Sequence, residues 1–202
     1  QGVDISMITS ACTARIMSNH LDEREKAWQL IHSPAVGLSP DKESFAAMVR
    51  EALYTGKIIA YAQGFSLMQD ASRLYGWNLD LGKIASIFRA GCIIQAVFLN
   101  DITHAFEAEP KPENLIFDGF FLSRINEHQD SLRQAVSTGV MNGLPIPALC
   151  NAVSYLDEFR AKAAGANLIQ AQRDCFGAHT YERTDHEGVF HHEWRWANDN
   201  QH

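Results

Sequence analysis

This chain of 202 residues predicts an all-α fold, and three observations carry that reading. Apolar residues recur at i, i+3, i+4 spacing almost throughout, alternating β-branched runs are nearly missing, and proline or glycine marks the ends of most apolar stretches. A composition that is 46% hydrophobic and 20% charged, with mean hydropathy −0.19, is enough to bury a sizeable core.

The first predicted helix runs from Asp4 to about His32, with Ile5, Ile8, Cys12 and Ile16 on one face and Ser33-Pro34 at its end. Ser39, followed by Pro40 at the first helical position, opens a long second helix that reaches Tyr75 and stops at Gly76. Its apolar stripe shifts from Phe45, Met48, Val49, Ala52 and Leu53 to Ile58, Tyr61, Ala62, Phe65 and Met68, so different partners should pack on the two halves. Gly56 and Gly64 would admit a close neighbour. Asp80 caps a third helix carried to about Phe106, ahead of Pro110 and Pro112, and Asp118 to Asn142 reads as a fourth. Two shorter helices, 147–163 and 166–176, are separated by Gly165, and Gly177 terminates the second. Beyond it, polar residues with isolated aromatics (Tyr181, Phe190, Trp194, Trp196) describe a tail that must dock on something. The expected division is therefore a helical part, 1–177, and a tail, 178–202.

Several function classes are excluded. A net charge of −7 is the wrong sign for a general nucleic-acid surface. No apolar run approaches the roughly 18 residues of a membrane helix, and the first residues lack the pattern of a secretory signal. Cys12, Cys92, Cys150 and Cys175 are widely spaced, which points to buried free thiols and a reducing, cytoplasmic compartment. A start at Gln1 inside ordered-looking sequence suggests a segment of a longer polypeptide. No Gly-x-Gly pair exists, so neither a dinucleotide fingerprint nor a Walker loop can be written on these residues. His186, His191, His192 and His202 lack fixed helical spacing, and no metal is expected.

What remains is an anion site. Arg15 falls within the apolar arc of Ile5, Ile8, Cys12 and Ile16, where a guanidinium needs an anion; composition alone favours the plainer reading of a snorkelling stem or a structural pair. Arg173 and His179 flank the helix end at Gly177, so the turn can bring two donors onto one phosphate; the plainer reading is a cation complementing the helix dipole beside a loop histidine. Glu23, Arg24, Glu25 and Lys26 read as a solvated helix face.

The run from Ala166 to Glu182, Ala-Asn-Leu-Ile-Gln-Ala-Gln-Arg-Asp-Cys-Phe-Gly-Ala-His-Thr-Tyr-Glu, resembles the C-terminal signature of decarboxylating 6-phosphogluconate dehydrogenases. The stretches 52–65, 88–94, 135–140 and 187–190, together with Glu193-Trp194, resemble the same family, and the resemblance covers essentially the whole chain. It implies an all-α C-terminal domain preceded in the family by a Rossmann domain that binds NADP, and a homodimer in which each tail threads into the partner subunit. It also implies NADP-dependent oxidative decarboxylation of 6-phosphogluconate to ribulose 5-phosphate and CO2 in the pentose phosphate pathway and gluconate utilization. The family's general base and acid fall ahead of Gln1, so no catalytic residue is assigned here and this chain alone is expected to be inactive. Arg15 matches a family arginine on the substrate phosphate, and Arg173 and His179 match the pair that the tail delivers into the other subunit. Cys175 stands where the family usually has tyrosine, and Gln95 where many members have arginine. The rival reading is a non-catalytic helical dimerisation module.

Overall fold

A computed structural model describes residues 2–34, 37, 41–89, 91–162 and 165–194. The chain divides into two compact units, 1–156 and 157–202, and each is described by itself.

The first unit is built around α3, Lys42–Tyr75, a helix of 34 residues and so about 51 Å long. Its N-terminus is capped by the Asp41 carboxylate, which accepts from the Ser44 amide at 2.9 Å; the expected cap at Ser39 and Pro40 lies outside the described residues. Gly76, with φ +65°, ends the helix in the left-handed region, as predicted. The stripe Ala52, Ile58, Ile59, Ala62 and Phe65 is buried and packs along α6, Gly119–Met141, whose first amides are capped by Asp118. Phe98 is the aromatic centre of this core: its ring meets Tyr54, Tyr61 and Phe121 edge-on at 5.5–5.7 Å. At Gly56 a Cβ would stand 2.8 Å from Leu149 Cδ2, so a larger residue there would push the Leu149 side chain of α7, Pro147–Arg160, out of place; Gly64 has no such neighbour.

Two predicted helices are broken. The first is α1, Ser6–Met17, and α2, Leu21–Leu30, interrupted where Ser18 Oγ donates to the Arg15 carbonyl at 2.7 Å and the Asn19 and His20 amides return to Ile16 and Met17. Such local bonds compete with the helical ladder. The span expected as one helix to Phe106 is α4, Leu81–Ile87, and α5, Leu99–Glu107. Between them Gly91 takes φ +83°, and carbonyls that a helix would use are claimed from α3: Tyr61 donates to Ile94 and Lys57 Nζ to Gln95 at 3.4 Å. A 3-10 turn, Leu115–Phe117, leads into α6.

The predicted apolar face of α1 is also corrected. Cys12 is exposed, Ile16 is 62% exposed, and Met7 is the residue that enters the core. The reason is the dock: buried Gln63 of α3 accepts from the Met7 amide at 3.1 Å and donates to Asp4 Oδ1 and Ser6 Oγ, which fixes the rotation of α1. The four thiols are free, but none is fully buried.

The second unit holds the last turn of α7, then α8, Ala166–Gly177, and an antiparallel hairpin of β1, Tyr181–Glu182, and β2, Val189–Phe190. Among the described residues no helix is long and apolar enough to cross a membrane.

Candidate functional site

In the second unit the chain leaves α8 through an unusual turn. Ala178 has φ +48° and Thr180 φ +61°, so two non-glycine residues in the left-handed region bracket His179. Gly177 itself ends the helix without positive φ, and its missing side chain makes room for the ring, since a Cβ would lie 2.8 Å from His179 Nε2 and 2.9 Å from its Cδ2. The imidazole is thus folded over the last turn of α8, the helix that carries Arg173, and both side chains are exposed.

What holds this turn is Asp174, fully buried and not anticipated from the sequence. Its Oδ1 accepts from the Thr180 amide at 2.9 Å and pairs with His191 Nδ1 at 2.8 Å; its Oδ2 accepts from the His192 amide and the Trp194 indole, each at 3.0 Å. Burial favours the neutral acid, but the bonds from His191, His192, Trp194 and Thr180 outweigh it and hold the carboxyl well below the ordinary carboxylate range. One helix turn earlier, Gln170 Nε2 donates to the Thr180 carbonyl at 2.5 Å while its Oε1 accepts from Arg173 Nη1 at 3.3 Å. Both backbone groups of Thr180 are therefore clamped from α8. The only sequence signal was the i, i+4 spacing of Gln170 and Asp174, which place both on one helix face.

In the first unit Arg15 is exposed rather than buried among apolar residues, and its Nη1 donates to Ser18 Oγ at 2.7 Å and Asn19 Oδ1 at 2.6 Å. It sits at the C-terminal end of α1, beside a groove of about 790 Å³ lined by Ser10, Thr13, Ala14, Ser18 and Arg24 among others. Arg24, expected on a solvated face, lines that groove and reaches the Ser18 carbonyl at 3.5 Å.

These features define an α-helical domain with an exposed Arg–His pair at a braced helix end. The family model described as "6-phosphogluconate dehydrogenase, C-terminal domain" matches residues 1–194, and the chain belongs to that family. It is 48% identical over 193 residues to the "6-phosphogluconate dehydrogenase, decarboxylating" of Lactococcus lactis subsp. lactis, a match that covers 96% of this chain and 41% of the relative. The Shigella flexneri protein of the same description is also 48% identical over the same shares. Among solved structures, the Plasmodium falciparum 6-phosphogluconate dehydrogenase, described in apo form and in complex with NADP+ and with 6-phosphogluconate, superimposes with a TM-score of 0.88 at 37% identity, covering 96% of this chain and 42% of its own. The chain thus spans about two-fifths of the length of the relatives it matches.

Proposed function

We propose that this chain is the helical C-terminal part of an NADP-dependent, decarboxylating 6-phosphogluconate dehydrogenase, and that its own task is to hold the substrate phosphate. The observation that carries the reading is the end of α8, where a braced turn folds His179 back over the helix that carries Arg173. A guanidinium offers forked, permanently charged donors, and an imidazole adds one more, a set suited to a phosphate dianion. Arg15 of a second copy supplies a third donor, exchanging its bonds to Ser18 and Asn19 for phosphate oxygens.

Phosphate held this way fixes one end of 6-phosphogluconate, so that its reacting carbons are presented in one orientation; the contribution is positional rather than bond-making. NADP would accept the hydride in the whole protein. Residues 1–202 contain no Gly-x-Gly cradle and do not by themselves fit the dinucleotide.

The protein would be a homodimer in which α8, with the tail folded back on it, reaches the partner and brings its Arg173–His179 pair to the partner's Arg15. Supporting it is a run of exposed apolar side chains on α1 and α2, with Ile16, Met17, Leu21, Trp28, Leu30 and Ile31 each more than half exposed, a surface that a second copy would cover. Free thiols fit a cytoplasmic setting.

Calorimetric titration of 6-phosphogluconate into the chain and into its Arg173→Ala and His179→Ala variants tests the proposal. Binding by the native chain that drops at least about tenfold in each variant is expected, the scale of a lost bond to a charged group. Equal affinity in all three, or no heat with any of them, overturns it.

A further inference from the structure

Resting on the phosphate reading above, we propose that Asp174 is a positioning residue for substrate binding: it acts through His179 by locking the Ala178–Thr180 turn, and Gln170 assists it.

The donors around Asp174 decide what side chain can stand there. Thr180 N–H, His192 N–H and the Trp194 indole N–H are donors that cannot accept, and they meet both oxygens of one side chain. Only a carboxylate accepts at both ends. An asparagine, the same in shape, would turn its NH2 toward Thr180 and His191 or toward His192 and Trp194, leaving at least one buried donor facing a donor. The turn needs such bracing because Ala178 and Thr180 both occupy a backbone region that disfavours side chains.

Asp174 is enclosed and reaches no substrate, whereas His179 is exposed and precedes the clamped Thr180. Holding Thr180 by its amide from Asp174 and by its carbonyl from Gln170 fixes the backbone from which His179 projects, and from that backbone its ring lies over Gly177. The same carboxylate ties down His191, His192 and Trp194, so one buried group sets both the presentation of the phosphate donors and the path of the tail that follows them.

The test is a double-mutant cycle on 6-phosphogluconate affinity in the full chain, with Asp174→Asn, His179→Ala and the pair. Asp174→Asn alone is expected to weaken binding about tenfold, and to add less than about threefold once His179 is alanine, because its effect passes through that ring. A merely structural role would add in full. Should Asp174→Asn fail to fold, Gln170→Met decides: it cuts the Thr180 carbonyl tie and also the bond from Arg173, so it is read in the Arg173→Ala background, where its remaining loss, about threefold, should vanish once His179 is alanine as well. Unchanged affinity in both variants, or losses that add fully to that of His179→Ala, overturns the proposal. If Arg173→Ala and His179→Ala themselves bind like the native chain, the phosphate reading is what has failed, and faster exchange of the Thr180 amide in Asp174→Asn still shows whether the carboxylate fixes the turn.

Discussion

Replacing Gly177 with alanine should raise helix stability and lower substrate affinity at once. The residue is the last of α8, where φ is not positive, so a methyl group is compatible with the backbone and helix propensity favours alanine by up to about 1 kcal/mol. The added Cβ, however, would stand 2.8 Å from His179 Nε2 and 2.9 Å from Cδ2, where ordinary contact is 3.4–4 Å. The ring, exposed and held by a single torsion pair, must swing away by the better part of an ångström. One bond to a doubly charged phosphate is then lost, about 1.5–3 kcal/mol, which corresponds to about 10- to 150-fold in dissociation constant. Urea unfolding followed by circular dichroism reads the first effect and titration of 6-phosphogluconate the second. An affinity equal to the native chain's, with helix stability gained, would refute the placement of His179 over Gly177 as the binding geometry.

Three further outcomes are expected. Phe98→Ala removes the ring at the centre of the aromatic cluster, 1% exposed, and should cost about 3–5 kcal/mol in thermal or denaturant unfolding. Because Asp174 has its pKa lowered in the folded state, its contribution is complete above the unfolded value near 3.9 and is lost as pH falls below it toward the native value. The C-terminal unit should therefore yield to progressively less urea below about pH 4, followed by the indole N–H signal of Trp194, whereas Asp174→Asn should show a weaker acid dependence, with the part due to the exposed Arg183–Asp185 pair remaining. Finally, the 202-residue chain alone, supplied with 6-phosphogluconate and NADP+, should form no NADPH by absorbance of the reduced nicotinamide; steady formation in preparations freed of host enzyme would contradict the division of labour.

Most helices were legible because their ends are written in side chains: Asp118 before α6, Gly76 after α3 and Gly165 before α8 all stand where pattern predicts. The two long helices that broke did so for reasons that lie across the fold. Nothing in residues 88–98 announces that Tyr61 and Lys57, more than thirty positions away, will take their carbonyls. Likewise the face of α1 cannot be read from its own periodicity, since Gln63 decides its rotation. At the site, Arg173 and His179 were reachable from a helix end and a resemblance. Asp174 was not, because a buried carboxylate reveals itself only when the tail folds back and gathers four donors around it.

Arg15 tests the shared site most directly. If the phosphate is held by Arg15 of one protomer and by Arg173 and His179 of its partner, neither Arg15→Ala nor Arg173→Ala homodimers should bind 6-phosphogluconate well. Co-refolding the two variants, however, should restore native affinity at about a quarter of all sites, because each mixed dimer, half of a random mixture, regains one intact site. Recovery of that fraction in a calorimetric titration is the predicted result; a mixture that binds no better than its parents would contradict the account.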